Sequence, residues 1–447
     1  MRRLRQRRRG SARGEPCRSG MATPRLTRRR CGEWRLTDLD TAFDCATLAD
    51  GNRASIGVAA GRIVAIEADA AKLAPARRRV DLAGALVLPG LIDGHIHLDK
   101  TFMGDRWQPH QPCMAGFDVR ERVRFEKAQL AAAAPVVQRA AALVELAVSC
   151  GTTHMRSHVD IDPSAGLANL EGVLAVREHY RDAVSIEIVA FPQSGIMTCP
   201  GTAALLDAAV VAGADLVGGL DPDGFDGDTT GHLDVVFGIA ERRGVGIDIH
   251  LHDGGAAGIA ELEAIAARTR ALALGGRVAV SHAYALGQVA EAAARRTAEQ
   301  LAEAGVAIMT NAPGDRAFPP VMLLRAAGVT VFTGSDNIRD AWWPYGDADM
   351  LERAMLIGYR SGFYTDDELA SALDLATASA ARALGLADYG VRPGAPADFV
   401  AVGARHAAEA VVTRPRTRAV YKAGRLVARD GAFCAADRAA ELVGRRS

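Results

Sequence analysis

No stretch of this chain approaches the eighteen or so consecutive apolar residues that a membrane-spanning helix needs, which excludes a helical membrane protein. The seven cysteines, Cys17, Cys31, Cys45, Cys113, Cys150, Cys199 and Cys434, are scattered without a Cys-x-x-Cys pair. A thiolate zinc site and a disulfide framework are therefore unsupported, and a reduced, cytoplasmic protein is the simplest reading. His-Glu-x-x-His and Pro-Cys-x-x-Cys are missing too, and with them two common designs of zinc hydrolase. Aromatic residues amount to only 5%. Excess basic charge is confined to the first thirty residues, where twelve arginines face a single Glu15, so the body carries about eleven excess negative charges. Such a body offers no basic face to nucleic acid. The arginine-rich segment, residues 1–30, reads as a disordered extension, with Met21 as an alternative first residue.

What is present is a hydrophobic fraction of 49% over 447 residues, enough to bury a large core. Short β-like runs alternate with turn signals near both ends: Ala54–Val58 and Gly61–Ile66, then Ala397–Val402 and Arg418–Val427. Between them, apolar strands beginning near Ala85, Thr152, Val184, Ala214, Gly246, Val278, Val306 and Val329 alternate with alanine-rich amphipathic stretches such as Ile259–Leu274 and Gln288–Glu303. Eight strand–helix units in succession predict an α/β fold, a (β/α)8 TIM-type barrel over residues 85–390. Residues 31–84 and 391–447 are expected to form a small β-sandwich beside it.

The run Leu86-Val-Leu-Pro-Gly-Leu-Ile-Asp-Gly-His-Ile-His-Leu-Asp99 is apolar until it ends in His95 and His97, two residues apart. Side chains at i and i+2 of a strand share a face, so both imidazoles converge on one point. In barrels of this type the active site lies at the C-terminal strand ends. Polar residues recur where those ends are expected: Arg156-Ser-His158-Val-Asp160, Gln193, His250-Leu-His252-Asp253, His282, and Asp336. Three imidazoles and a carboxylate, His95, His97, His250 and Asp336, make a ligand set for Zn2+ or Fe2+ with a position left for water. The fourth strand ends in Gly218-Gly-Leu-Asp221 and offers no lysine that could bridge two metals after carboxylation; the whole chain has only Lys72, Lys100, Lys127 and Lys422. One metal is the expectation.

The series His95-Ile-His-Leu-Asp-Lys-Thr101, Arg156-Ser-His-Val-Asp160, Ala190-Phe-Pro-Gln-Ser-Gly195, Gly218-Gly-Leu-Asp-Pro222, His250-Leu-His-Asp-Gly254, Ser281-His282 and Gly334-Ser-Asp-Asn-Ile-Arg-Asp340 resembles the amidohydrolase superfamily, in its cytosine deaminase-like branch. Where cytosine deaminases carry His-x-x-Glu, this chain has His252 followed by Asp253, a form more similar to the N-isopropylammelide isopropylaminohydrolases. The resemblance implies metal-dependent hydrolysis that removes an amino or alkylamino group from a pyrimidine- or s-triazine-like ring. It implies Asp336 and His282 as the groups handling the attacking water, Gln193 in the substrate site, and Trp342, or its neighbour Trp343, stacked on the ring. His252 or Asp253 moves the second proton; strand alternation favours His252, which shares a face with His250. His158, Asp160 and Arg339 read as supporting residues. A ring-opening cyclic amide or imide hydrolase is the rival reading, and a catalytically silent scaffold a more distant one. The expected partners are a small N-heterocycle and water, with no nucleic acid or membrane, in a homo-oligomer.

Overall fold

A computed structural model of the chain describes residues 38–114, 118–314 and 316–434 in full, together with the backbone of Thr27–Arg28 and Trp34–Arg35. The extension expected over residues 1–30 thus lies outside the described residues, except that Thr27–Arg28 pairs antiparallel with Trp34–Arg35.

Eight strands, Leu91–Ile96, Thr152–Asp160, Ser185–Phe191, Leu216–Leu220, Gly246–Leu251, Val278–His282, Val306–Met309 and Val331–Phe332, pair in parallel in their sequence order. They are buried almost throughout, as strands must be when helices cover them outside and their own side chains fill the barrel inside. The ring closes where the first and eighth strands meet. There Gly94 N–H donates to Thr333 O at 3.0 Å and Asp336 N–H donates to His95 O at 2.7 Å. The outer helices present apolar residues at three- and four-residue spacing. Leu262, Ile265 and Ala266 of the helix Gly255–Ala271 are buried, as are Ala294, Ala298 and Leu301 of Glu291–Ala304.

One expected boundary moves. The run near Ala85 is two strands: Leu86–Pro89 pairs antiparallel with Phe399–Val402 in a second sheet, and the barrel begins only at Leu91. Pro89 and Gly90 make the break. A Cβ on Gly90 would lie 2.2 Å from the Thr153 hydroxyl, so only glycine lets the chain pass this close to the second barrel strand. The run Arg418–Val427 likewise divides into Arg418–Lys422 and Arg425–Arg429, joined by a two-residue turn in which Ala423 and Gly424 both have positive φ.

The second sheet has nine strands of mixed direction, drawn from Leu39–Pro89 and Phe399–Phe433. It is tied to the N-terminal ends of the barrel strands by Lys422, whose Nζ donates to Thr153 O (3.1 Å), Ser185 Oγ (3.0 Å) and Asp398 Oδ2 (2.7 Å). The C-terminal strand ends, where the polar residues collect, are left clear on the opposite side. Among the described residues no helix is long and apolar enough to cross a membrane.

Candidate metal centre

His95 and His97 leave the first strand on one face, as the spacing predicts, and His250 arrives from the fifth strand. Their ring nitrogens lie within 4.8 Å of one another. Asp336 completes the group from the segment after the eighth strand, with Oδ1 3.5 Å from His95 Nε2 and 3.4 Å from His97 Nε2. Its backbone stands at φ 62°, a conformation that costs energy for a residue with a side chain and that recurs at functional sites. His282, at φ 74°, shares it.

The tautomer of His95 follows from its neighbours. Asp248 is fully buried, and its carboxyl is held well below the usual range. Burial opposes this, but His158 and Arg156 outweigh it. The carboxylate can only accept, so the Ser281 hydroxyl donates to it at 2.7 Å. With its single proton committed, Ser281 Oγ must accept from His95 Nδ1 at 2.9 Å. In the neutral ring Nε2 of His95 then carries the lone pair, and this atom is buried with no hydrogen-bond partner among the described residues. His97 Nε2 and His250 Nε2 approach to 3.4 Å. Burial pushes both rings well below the ordinary histidine pKa, with Lys100 assisting at His97 and neighbouring imidazoles at His250. Neutral imidazoles facing one another around a carboxylate suit a divalent cation better than they suit one another. The carboxylate stays ionised: burial would raise Asp336, but its surroundings, His282 foremost, hold it well down. Its other oxygen, Oδ2, accepts from Asn311 Nδ2 at 2.7 Å, which turns Oδ1 toward the histidines.

Two further constellations adjoin this one. His282 is within ligand reach of His95 and Asp336, and His158 of His95 and Asp248. His158 Nε2 lies 3.6 Å from Asp248 Oδ1, and Asp160 binds Lys100 at 3.0 Å. Arg339 donates to Gly346 O at 3.0 Å in the loop after the eighth strand.

Beside the metal group, the rings of His252 and His282 stack with centroids 4.5 Å apart and planes at 23°. Asp221, at the end of the fourth strand, accepts from His252 N–H (2.5 Å) and from Nδ1 (2.9 Å). Burial resists protonation of His252, but the Asp221 charge and hydrogen bond prevail and raise its pKa. Asp253 points elsewhere: its Oδ2 accepts from Gly224 N–H at 2.8 Å, and it lines neither the inner chamber nor the vestibule outside it.

Gln193 lines the inner chamber with Phe191, Leu220, Asn337 and Trp342. The indole N–H of Trp342 donates to Glu126, whereas Trp343 lines only the outer vestibule, against Tyr345. Besides Asp221, three residues of this site were not singled out from the sequence. Lys100, 1% exposed, donates to Gln193 Oε1 and lies 3.0 Å from Asp160 and 3.4 Å from Glu126. Burial would lower its pKa, but Asp160, Glu126 and Asp99 raise it, so the amine stays charged and is unsuited to carboxylation. Glu126 and Asn311 are the other two.

A model of the Amidohydrolase family matches residues 78–428. The chain is 30% identical over 382 residues to an N-isopropylammelide isopropyl amidohydrolase of Pseudomonas sp. (strain ADP), covering 84% of this chain and 93% of that one. Among solved structures, it is similar to N-isopropylammelide isopropylaminohydrolase from Burkholderia multivorans ATCC 17616, with a TM-score of 0.84 and 44% identity over 88% of this chain and 99% of that one. Another similar structure is 5-methylcytosine deaminase from Klebsiella pneumoniae with 5-fluorocytosine, with a TM-score of 0.76 and 28% identity over 87% and 97% of the two chains.

Proposed function

The chain belongs to the amidohydrolase family, and from that premise we propose that it removes an amino or alkylamino group hydrolytically from an s-triazine- or pyrimidine-like ring. The observation that carries this reading is the convergence of His95, His97, His250 and Asp336 next to the stacked pair His252 and His282. We assign the four as ligands of one divalent ion, Zn2+ before Fe2+, since an N3O set suits either. Such an ion, when bound, supplies Lewis acidity and lowers the pKa of a neighbouring water toward about 7.

The remaining steps belong to the side chains. Asp336, its Oδ2 fixed by Asn311, and His282 orient the attacking water and hold the proton it sheds. His252, kept protonatable by Asp221, delivers a proton to the ring nitrogen or the departing amine. Gln193 faces the alternating donor and acceptor edge of the ring. Because Lys100 already binds its Oε1, the amide N–H groups are the ones left to turn to substrate. Trp342, pinned through its N–H by Glu126, supplies the flat face against which the ring stacks. The similarity to enzymes named for N-isopropylammelide and 5-methylcytosine supports these two ring classes first. We also read the protein as cytoplasmic, from cysteines without paired spacing, and as a homo-oligomer.

The test is product identity. Metal-loaded protein incubated with N-isopropylammelide, ammelide, cytosine and isocytosine should release isopropylamine or ammonia in step with an oxo-heterocycle. A ring-opened acid from a cyclic amide, with no amine released, would favour the rival hydrolase instead.

A further inference from the structure

Outside the inner chamber lies a vestibule of about 790 Å3. It shares His252, Asp336, Asn337 and Trp342 with the chamber, so whatever reaches the metal centre passes through it or remains partly within it. Its volume is far more than a single substituted ring needs, and its walls are basic. Arg122 comes from the helix Val119–Leu130, and Arg353 and Arg360 from Met350–Ser361.

These guanidinium groups are held in place by backbone carbonyls and not by direct ion pairs. Arg122 is 6% exposed, gives one N–H to Ala341 O at 3.1 Å, and keeps its Nε with no hydrogen-bond partner among the described residues. Arg353 donates to Asn311 O (2.7 Å) and Ser335 O (3.0 Å); Arg360 donates to Pro313 O and, at 2.9 Å, to Arg316 O. Among the described residues no carboxylate oxygen lies within 4.0 Å of any of the three. A carbonyl satisfies an N–H but does not cancel a charge. Arg353 does have carboxylates acting on it from beyond that distance, Asp93, Asp336, Glu352 and Asp347, although Asp336 also faces the histidines and Glu352 also pairs with Arg414 at 3.3 Å. A divalent ion at the centre would add charge of the same sign. Clefts lined by one sign of charge between low-dielectric walls concentrate the field and raise the local population of counter-ions.

We infer that the vestibule binds a carboxylate carried by the substrate on a short tether, with the heterocycle's amine-bearing carbon at the metal centre. Planar guanidinium donors match the two oxygens of a carboxylate. The inference rests on the hydrolase reading of the same site and narrows its substrate class from neutral rings to acidic ones.

Three ammelides test it, differing only at the end of the N-alkyl group: N-propyl, N-(2-carboxyethyl) and N-(2-aminoethyl). In each, the oxygen of water bonds to the ring carbon, the exocyclic C–N bond breaks, and the amine departs with a proton. The expected kcat/KM for the carboxylate exceeds that for the propyl compound tenfold or more, the ammonium compound is the poorest, and added salt shrinks the spread. Arg122→Gln should bring the carboxylate-to-propyl ratio toward one. A ratio of one or less in the native enzyme overturns the inference, and this result needs no variant to fold. If none of the three is hydrolysed, dissociation constants measured by calorimetry on metal-loaded protein decide the inference, and the hydrolase reading fails separately only if the triazines and pyrimidines named above release no amine either. A tenfold preference for the carboxylate sustains it; equal affinities or no binding overturn it.

Discussion

The backbone N–H of Asp336 donates to the carbonyl of His95 at 2.7 Å, so two of the four proposed ligands are joined across the seam that closes the barrel. The metal group and the fold's closure are thereby one piece of structure. Loosening the seam would move a carboxylate relative to an imidazole, and an ion held by both would tie the seam together.

Gly334 is where this coupling can be broken. A Cβ there would lie 2.4 Å from His95 N, 2.5 Å from its O and 2.6 Å from its Cβ, all on rigid backbone or its root. Gly334→Ala should cost about 1–3 kcal/mol or more of stability and release metal. Urea unfolding and metal content of the purified variant check this. Full metal retention at native stability would show that the seam can yield.

His252 and Asp253 are separable. His252→Gln removes the group that faces the chamber and should lower kcat/KM by about 10²–10⁴. Asp253→Asn should cost less than tenfold, because Asp253 is bound to Gly224 and lines neither space. Steady-state kinetics of the two variants decide, and the opposite order would assign the proton to Asp253.

Asn311 and Ser281 act through the ligands they hold. Asn311→Ala frees Asp336 Oδ2, and Ser281→Ala removes the acceptor that sets the His95 tautomer. Each should weaken metal affinity by about 10- to 100-fold, as losses of such supporting groups do. Chelator competition reads the effect, with circular dichroism to confirm folding. Unchanged affinity in both would mean that the ligands are positioned without them.

Glu261 predicts a pH dependence. Burial, with the Asp253 charge behind it, raises its carboxyl to about 8 although Asp223 N–H donates to it. A raised folded pKa means the folded chain binds the extra proton, so its contribution to stability is present below about 4.5 and is lost as pH rises through about 8. In Glu261→Gln the amide keeps the acceptor for Asp223 and cannot ionise. Its thermal stability should come close to the native protein's near pH 5 and exceed it near pH 8, by roughly a few kcal/mol. Melting curves that stay parallel across this range would contradict the assignment.

The parts of the site that were legible are those fixed by strand geometry. His95 and His97 share a face because side chains alternate along a strand, and the eight apolar runs placed His250 and Asp336 at the same end of the barrel. The Leu86–Pro89 strand was illegible as a separate element, since an apolar run says nothing of which sheet it enters; Pro89 and the close pass at Gly90 decide that. Asp221 meets His252 from a different strand, and Glu126 reaches Trp342 from 216 residues away. No local pattern encodes such meetings. Lys100 was visible as a residue and not as a participant, because its meaning lies in the ring of Asp99, Asp160 and Glu126 that the fold assembles around it.

The most direct test of one catalytic ion held by His95, His97, His250 and Asp336 is a metal titration of chelator-stripped protein, following amine release from N-isopropylammelide. Activity should be absent without metal and rise linearly to a plateau at one equivalent of Zn2+ or Fe2+ per chain, and Asp336→Ala should show no rise. A plateau at two equivalents, or amine release that survives removal of the metal, would contradict the account.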